Sequence, residues 1–205
     1  MKLRNTAIAI GIGAATAASL SLLKVNKDIL VGTTAVVVGA GLMISLREKN
    51  DVKTTRDYEY FFNRAQDKFE LADYEEAILD YNKALDLSPT EICLVYSMRG
   101  NAKRNLGDFD GAISDQNKAL DFDPLYADGY FNRGIANFKK GDFDGAIQDY
   151  SQVIKINPKD SDALFNRGNV KKEIGEMKGA CEDWRKAADL GDEEATNSLK
   201  QFCNL

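Results

Sequence analysis

The sequence predicts an all-α protein built from a repeated helical hairpin, and three observations support this fold class. Small residues recur with a period of about 34 residues from Tyr58 onward. A short Gly-Asp, Ala-Asp or Gly-Glu turn comes shortly before each of these residues, and a proline follows the first three at a constant distance. Proline cannot continue a helical hydrogen-bond ladder, so its regular placement ends a helix at the same point of each unit.

Two apolar segments without charged residues precede the repeats, at 7–23 and 29–46. As α-helices with a rise of ~1.5 Å per residue they would reach about 25–27 Å, close to the ~30 Å hydrocarbon core of a membrane. Their many Gly, Ala, Ser and Thr residues let two helices approach closely. Residues 1–46 are therefore predicted to form a transmembrane helical hairpin that meets the lipid bilayer through residues 7–46. Residues 47–57 read as a polar linker.

Positive charge indicates the orientation of this predicted hairpin. Lys and Arg residues flank both of its ends, against two lysines in the turn, so both ends are expected on the cytoplasmic side. Two alternatives stay open: a signal peptide cleaved near the Ala-Thr-Ala at 15–17 and followed by one anchor, and a buried or interfacial helical pair. A dinucleotide-binding turn at 36–41 is excluded, because Ile44 replaces the third glycine and a βαβ unit does not fit before the repeats.

Charge is divided unevenly along the chain. Residues 1–56 contain eight Lys or Arg and three Asp or Glu, whereas residues 57–205 contain nineteen and twenty-nine. The repeat region is therefore strongly acidic. Binding to a nucleic-acid backbone depends on clustered positive charge, so we expect no nucleic-acid partner.

The residue types present exclude most catalytic sites. The chain has no histidine, so His-based metal sites and Ser–His or Cys–His catalysis are impossible within it. Cys93, Cys181 and Cys203 are odd in number, far apart and without CxxC spacing, and we expect neither a disulfide framework nor a zinc site. The sequence predicts no catalytic residue, no metal, no cofactor and no enzymatic activity.

Four repeat units can be drawn, at 58–91, 93–126, 127–160 and 161–192, followed by a predicted capping helix at 192–205. Asn-Arg-Gly recurs in the first helix, and Gly-Asp-Phe-Asp-Gly-Ala-Ile recurs at the turn. The acidic turn residue is placed to cap the second helix of each unit. This pattern resembles the tetratricopeptide repeat (TPR), which implies a right-handed superhelical solenoid of stacked hairpins. Its style is similar to that of TPR proteins from bacteria, cyanobacteria especially, and plastids.

The seventh position of each unit departs from the family pattern, in which a bulky aliphatic residue is usual. It is arginine in all four units, and an aspartate follows sixteen residues later each time. Residues at these places can face each other across a helical hairpin, and arginine's planar fork suits a carboxylate. We therefore predict four structural ion pairs: Arg64–Asp80, Arg99–Asp115, Arg133–Asp149 and Arg167–Asp183. The eleventh position also departs from the pattern, as Lys68, Lys103, Asn137 and Lys171.

The resemblance also implies that the first helices of successive units line a concave groove that holds a peptide or a helix. Carried over by position, the groove residues expected to contact a partner are amides, phenylalanines and one arginine: Asn63, Gln66, Phe69, Asn101, Arg104, Phe131, Asn132, Phe138, Phe165, Asn166 and Asn169. Amides can hold an extended backbone, and phenylalanines supply apolar anchors.

We therefore expect a membrane-tethered adaptor that binds other proteins through this groove. One alternative is a soluble or exported scaffold whose first helices are cleaved or packed onto the repeats. Another is a co-chaperone that holds the C-terminal tails of chaperones. The second alternative is weaker, because phenylalanines and acids occupy groove places where lysines are expected.

Overall fold

The computed structural model describes residues 57–87 and 91–203. The predicted transmembrane hairpin and all but the last residue of the predicted linker lie outside these ranges; Asp57 is already helical. Within the described ranges the chain forms nine α-helices and no strand. The helices are α1 (57–70), α2 (Tyr74–Asp86), α3 (Ile92–Asn105), α4 (Phe109–Phe122), α5 (Ala127–Lys140), α6 (Phe143–Ile156), α7 (Ser161–Glu173), α8 (Met177–Asp189) and α9 (Glu193–Phe202). None of the described helices combines the length and apolar character needed to span a bilayer.

The helices stack as consecutive hairpins, which confirms the predicted all-α solenoid. Each helix packs against the next along the chain, and α3 also contacts α5. Small residues allow the close approach: a side chain on Gly134 would meet the ring of Tyr150 at 3.0 Å, and one on Gly168 would meet Trp184 at 2.6 Å. Tyr150 and Trp184 are buried, so the third and fourth hairpins each close around an aromatic ring placed over a glycine.

The turn inside each hairpin is set by a residue with a positive φ angle. Gly107, Gly141 and Gly175 take φ values of 82°, 87° and 83°, and Ala72 takes 59° in the first unit. Glycine adopts this left-handed conformation without the steric cost that a side chain adds. The recurring glycine therefore allows the second helix to start directly after the first one ends.

The predicted capping of the second helices is only half right. Asp108 and Asp142 accept hydrogen bonds from the backbone nitrogens of Gly111 and Gly145, at 2.9 and 3.0 Å. A Cβ atom on either glycine would lie within 2.6 Å of the capping carboxylate as it is placed here.

Asp73 and Glu176 make no such bond, and the prediction is wrong for these two residues. In the fourth unit the residue at this place is Glu176, whose side chain is one carbon longer than that of aspartate. Glutamate is not a favoured capping residue. Capping aspartates that the sequence analysis did not select, Asp160 and Asp192, instead accept hydrogen bonds at the starts of α7 and α9.

A disulfide bond joins Cys181 on α8 to Cys203 after α9. The expectation that the cysteines would be unpaired is therefore wrong for these two. They are separated by 22 residues along the chain, but α9 folds back on α8 and brings their Cα atoms to 5.8 Å, a separation that a disulfide can span. Trp184 and Phe202 pack beside the bond, with ring centroids 5.9 Å apart. Cys93 is a free, half-buried thiol.

Candidate partner-binding groove

Each hairpin contains one arginine that grips one buried aspartate with two nitrogens. The Nε and Nη2 atoms of Arg64 donate to Asp80 at 2.6 and 2.5 Å. The same two atoms reach the aspartate sixteen residues on at 2.8 and 2.5 Å from Arg99, at 3.0 and 2.6 Å from Arg133, and at 2.8 and 2.7 Å from Arg167. The structure thus brings all eight residues together as four forked pairs. Such paired bonds fix geometry as well as charge.

The residue at the eleventh position supplies a further donor to each aspartate. Lys68, Lys103 and Lys171 reach Asp80, Asp115 and Asp183 at 2.9, 2.8 and 2.8 Å. In the third unit the amide of Asn137 donates to Asp149 at 2.9 Å. The two departures from the family pattern therefore belong to one cluster, a contact that the sequence analysis did not identify.

The pKa values of three of these aspartates are shifted, and not all in the same direction. Hydrogen bonds from Arg64 hold the pKa of Asp80 well below its usual value, against the effect of burial. Burial raises the pKa of Asp183, but bonds and charge from Arg167 and Lys171 outweigh it and leave the pKa lowered. For Asp149 burial prevails over Arg133 and the neutral amide, and its pKa is raised.

In three of these four arginines the third guanidinium nitrogen, Nη1, donates a hydrogen bond to a residue of the preceding repeat. The Nη1 atoms of Arg99, Arg133 and Arg167 donate to three small polar side chains on α2, α4 and α6: Asn82 at 2.6 Å, Asn117 at 2.5 Å and Ser151 at 2.9 Å. Asn82, Asn117 and Ser151 occupy the same position in successive units. The polar residue that recurs at this position was the sequence signal that could have identified them. An arginine bonded within its hairpin and to its neighbour favours a structural role over contact with a ligand.

The predicted groove amides have different environments. Asn132 lies between Ser97 and Arg104, with its amide nitrogen 3.4 Å from the Ser97 hydroxyl and its oxygen 3.5 Å from the arginine. Asn166 donates to the Asp162 carbonyl on its own helix, and Asn169 accepts from Trp184 at 3.1 Å. Of the three others, Asn63 is exposed, Gln66 is half-buried, and the buried Oδ1 of Asn101 has no hydrogen-bond partner among the described residues.

The predicted phenylalanine anchors are half-buried and also support the core. Phe69 packs against Tyr74, Phe131 against Tyr150 and Phe138 against Phe143, with ring centroids 5.3, 5.6 and 5.8 Å apart. Phe165 packs against the cluster around Trp184. These rings therefore offer a partner one face or edge, while the rest of each ring packs inside the protein.

Two clefts lie between α5 and α7, with α6 contributing to both. The first, which we call the amide cleft, has a volume of about 280 Å³ and is lined by Phe138, Tyr150, Asn166, Asn169, Val170, Lys172 and Glu173. The second, the acidic cleft, has a volume of about 170 Å³ and is lined by Ala127, Asp128, Phe131, Val153, Asp160 and Asp162. Four of the predicted groove residues line these clefts: Phe131, Phe138, Asn166 and Asn169. Tyr150 was not among the predicted groove residues, yet its side chain, although only 2% exposed, lines the amide cleft.

The chemistry of the two clefts differs because they lie at opposite ends of the α5 and α7 helices. The acidic cleft is near the helix starts, where three aspartates gather, and the amide cleft is near the helix ends. The described residues contain no group of three or more Cys, Asp or Glu side chains arranged to hold a metal ion. The arrangement can bind polar backbone and small apolar groups.

Three models of the tetratricopeptide repeat match the chain, at residues 58–91, 100–141 and 127–160. They confirm that the chain carries these repeats. A search of curated proteins gives no significant match.

Solved structures with the same fold include the crystal structure of MamA, at 23% identity and a TM-score of 0.62, covering 72% of this chain and 86% of that one. The first TPR domain of Spaghetti (RPAP3), bound to the HSP90 peptide SRMEEVD, is 25% identical with a TM-score of 0.56 and covers 59% and 95%. The Sgt2 TPR domain of Aspergillus fumigatus is 23% identical with a TM-score of 0.56 and covers 60% and 83%.

Proposed function

We propose that this chain, whose repeats are tetratricopeptide repeats, is a membrane-tethered adaptor that holds a peptide or helix of another protein in the groove along α1, α3, α5 and α7. The observation that carries this proposal is the pair of clefts between α5 and α7. Both are open, both contain residues that the repeat pattern assigns to a ligand groove, and neither contains a catalytic arrangement.

The two clefts give the groove a direction. Asn166 and Asn169 can donate to and accept from a peptide backbone, and Phe138 offers an apolar surface beside them. The aspartates of the acidic cleft favour a basic or amino group at the other end. A bound segment would therefore lie along α5 and α7 with its more basic end toward Asp128 and Asp162.

A peptide-bound relative supports a peptide as the ligand, but not the same ligand. The first TPR domain of Spaghetti (RPAP3) is bound to an HSP90 peptide. In this chain Phe62, which occupies a place where a lysine would meet a peptide carboxylate, is buried and packs on Tyr81 with centroids 6.0 Å apart. The first repeat thus lacks the cation on which binding of a chaperone tail would depend.

Selection from a library of displayed random peptides tests groove binding. The full chain in mild detergent is the bait, and selected peptides are synthesised with a fluorophore for anisotropy titration. We expect Asn132→Ala/Asn166→Ala to weaken binding about tenfold or more, because each amide loses hydrogen bonds to the peptide. Gln152→Ala, exposed on α6, is the matched control and should bind as the wild type does. Failure to enrich any peptide, or equal binding by the double variant, would refute the proposal.

The membrane tether is a separate element of the proposal and rests on the apolar segments 7–23 and 29–46. Carbonate washing of a membrane fraction should leave the full chain in the pellet and release a variant lacking residues 1–46. Release of the full chain would instead favour the alternative of a soluble or exported scaffold.

The compartment of the repeats is tested together with the tether. The flanking charges favour the cytoplasmic side, whereas disulfides such as Cys181–Cys203 persist mainly in oxidising compartments. We propose that the repeats lie on the cytoplasmic side and that the Cys181–Cys203 bond forms there when conditions are oxidising. Protease added to sealed vesicles of known orientation measures the side directly, and protection opposite to that of a cytoplasmic marker would overturn this placement.

A further inference from the structure

The second repeat differs from the others at three places that face one another. At the fifth and twenty-fourth positions the other units carry aromatic rings in pairs, such as Phe131 with Tyr150. In the second unit these places hold Ser97 and Gln116, and the Gln116 amide donates to the Ser97 carbonyl at 3.1 Å. At the twelfth position, where the first and third units carry phenylalanine, the second has Arg104. The second repeat therefore makes a polar gap in a groove that is otherwise mostly aromatic.

Arg104 lies half-buried at this gap without a carboxylate partner. The four arginines of the seventh position each bind an aspartate within 2.7 Å. The only described hydrogen bond of the Arg104 side chain is the 3.5 Å contact with Asn132. Burial lowers the pKa of Arg104 and is not offset by a nearby acid. A guanidinium stays charged in a protein nonetheless. Arg104 is thus a partly desolvated cation whose charge no described residue neutralises.

A second polar group lies near Arg104. The side chain of Tyr150 is 2% exposed and lines the amide cleft. The positive charge of Arg104 acts on the Tyr150 hydroxyl and favours its ionised form, although burial raises the pKa overall. Arg104 contacts Asn132, Tyr150 lies near Arg104 and lines the amide cleft, and together the three residues present two donors and an amide. We call these three residues the Arg104 site.

We propose that the Arg104 site binds the carboxylate of an Asp or Glu side chain of the bound partner, next to an apolar side chain of the same segment seated against Phe138. This inference rests on the proposed groove function and names the chemistry of its ligand. A carboxylate matches the planar fork of arginine and can accept from the tyrosine hydroxyl. The bound segment then carries an acidic residue at the Arg104 site. Its basic groups lie at its other end, which faces the acidic cleft.

A singly charged carboxylate fits better than a phosphate group. Glu173 lines the amide cleft and pairs with Lys172 at 3.1 Å, and residues 57–205 carry ten more acidic than basic side chains. A dianion would meet more repulsion from these charges than a monoanion would. One unneutralised guanidinium also compensates a single negative charge.

Paired changes in protein and peptide test this site. Peptides selected on the wild-type full chain should be enriched in Asp or Glu, and changing that acid to its amide should weaken wild-type binding about tenfold or more, with the loss growing smaller as salt is added. Arg104→Gln should bind the acidic and amide peptides equally. Lys186→Gln, which removes an exposed cation on α8, should discriminate between them as the wild type does.

The outcomes separate this site from the groove function. If the Arg104→Gln variant still prefers the acidic peptide by the wild-type factor, the Arg104 site is refuted while groove binding stands. If the wild-type chain enriches no peptide, groove binding fails and this site fails with it. Arg104→Lys keeps the charge but loses the fork and should keep part of the preference, and unchanged circular dichroism shows that each variant is folded.

Discussion

The second and third repeats share the contacts that hold each hairpin together, here called the framework. They differ in the residues of their groove faces. Both have a forked pair, Arg99–Asp115 or Arg133–Asp149, and both start their second helix with a capping aspartate. Their groove faces differ: the third repeat is lined by aromatic rings, and the second by Ser97, Arg104 and Gln116. Framework and groove residues occupy different positions of the unit. The groove can therefore change its chemistry without loss of the hairpin.

The two repeats also differ inside the framework. The aspartate of the second repeat receives a second cation from Lys103 at 2.8 Å, whereas that of the third receives only the neutral amide of Asn137. The third repeat thus has one positive charge for its buried carboxylate where the second has two. This makes the third repeat the more sensitive to loss of its arginine.

Loss of that arginine is expected to have the largest effect. Arg133→Ala should lower the free energy of unfolding by about 3–5 kcal/mol, because Asp149 is left buried with no cation. Arg99→Ala should cost clearly less, since Lys103 still neutralises Asp115. Urea unfolding followed by circular dichroism measures both, with exposed Arg185→Ala as the control. An unchanged melting temperature for Arg133→Ala would refute a structural role for the pair.

Giving the third repeat the lysine of the second should have a smaller effect of opposite sign. Gly145 leaves space for the longer chain, as Gly179 does beside Lys171. The pKa of Asp149 is raised above the ordinary value of 3.8, so ionisation of this group weakens the folded state at neutral pH. Asn137→Lys should lower this pKa and stabilise the protein at pH 7 by about 1 kcal/mol for each unit of change.

The pH dependence of that gain provides its check. The gain over the wild type is fully present above the raised Asp149 pKa of the wild type, and it is lost as the pH falls through the lowered Asp149 pKa of the variant. Titration of the Asp149 carboxyl by NMR and urea unfolding at pH 7 and pH 3 measure the two quantities. Asn105→Lys, at an exposed position, adds the same charge and should leave the Asp149 pKa unchanged. Equal gains for both variants would show that the effect is not local.

The capping aspartates should give the smallest effect, equal in the two repeats. Asp108→Ala and Asp142→Ala should each destabilise by about 1 kcal/mol, the usual contribution of an N-cap bond. Asp73→Ala should have little effect, because Asp73 makes no capping bond. Thermal unfolding is sufficient to rank the three. A loss for Asp73→Ala as large as that for Asp142→Ala would contradict the capping role given to Asp142.

Contacts within one hairpin could be predicted from the sequence, whereas contacts between hairpins could not. A turn of constant length fixes which residues of two paired helices face each other, so a sixteen-residue spacing placed each arginine beside its aspartate. The links from Arg99 to Asn82 and from Arg133 to Asn117 depend on how one hairpin stacks on the previous one. Spacing along the chain does not specify that stacking.

The sequence by itself determined the all-α class, the repeat and its period, because small residues, turns and prolines act locally and recur in register. Only the tertiary structure decided that Cys181 meets Cys203, that the edge of Tyr150 borders a cleft, and that Arg104 has no acid beside it. Each of these depends on which surfaces meet when hairpins stack. That outcome is set by packing across the whole array rather than by the neighbours of a residue in the chain.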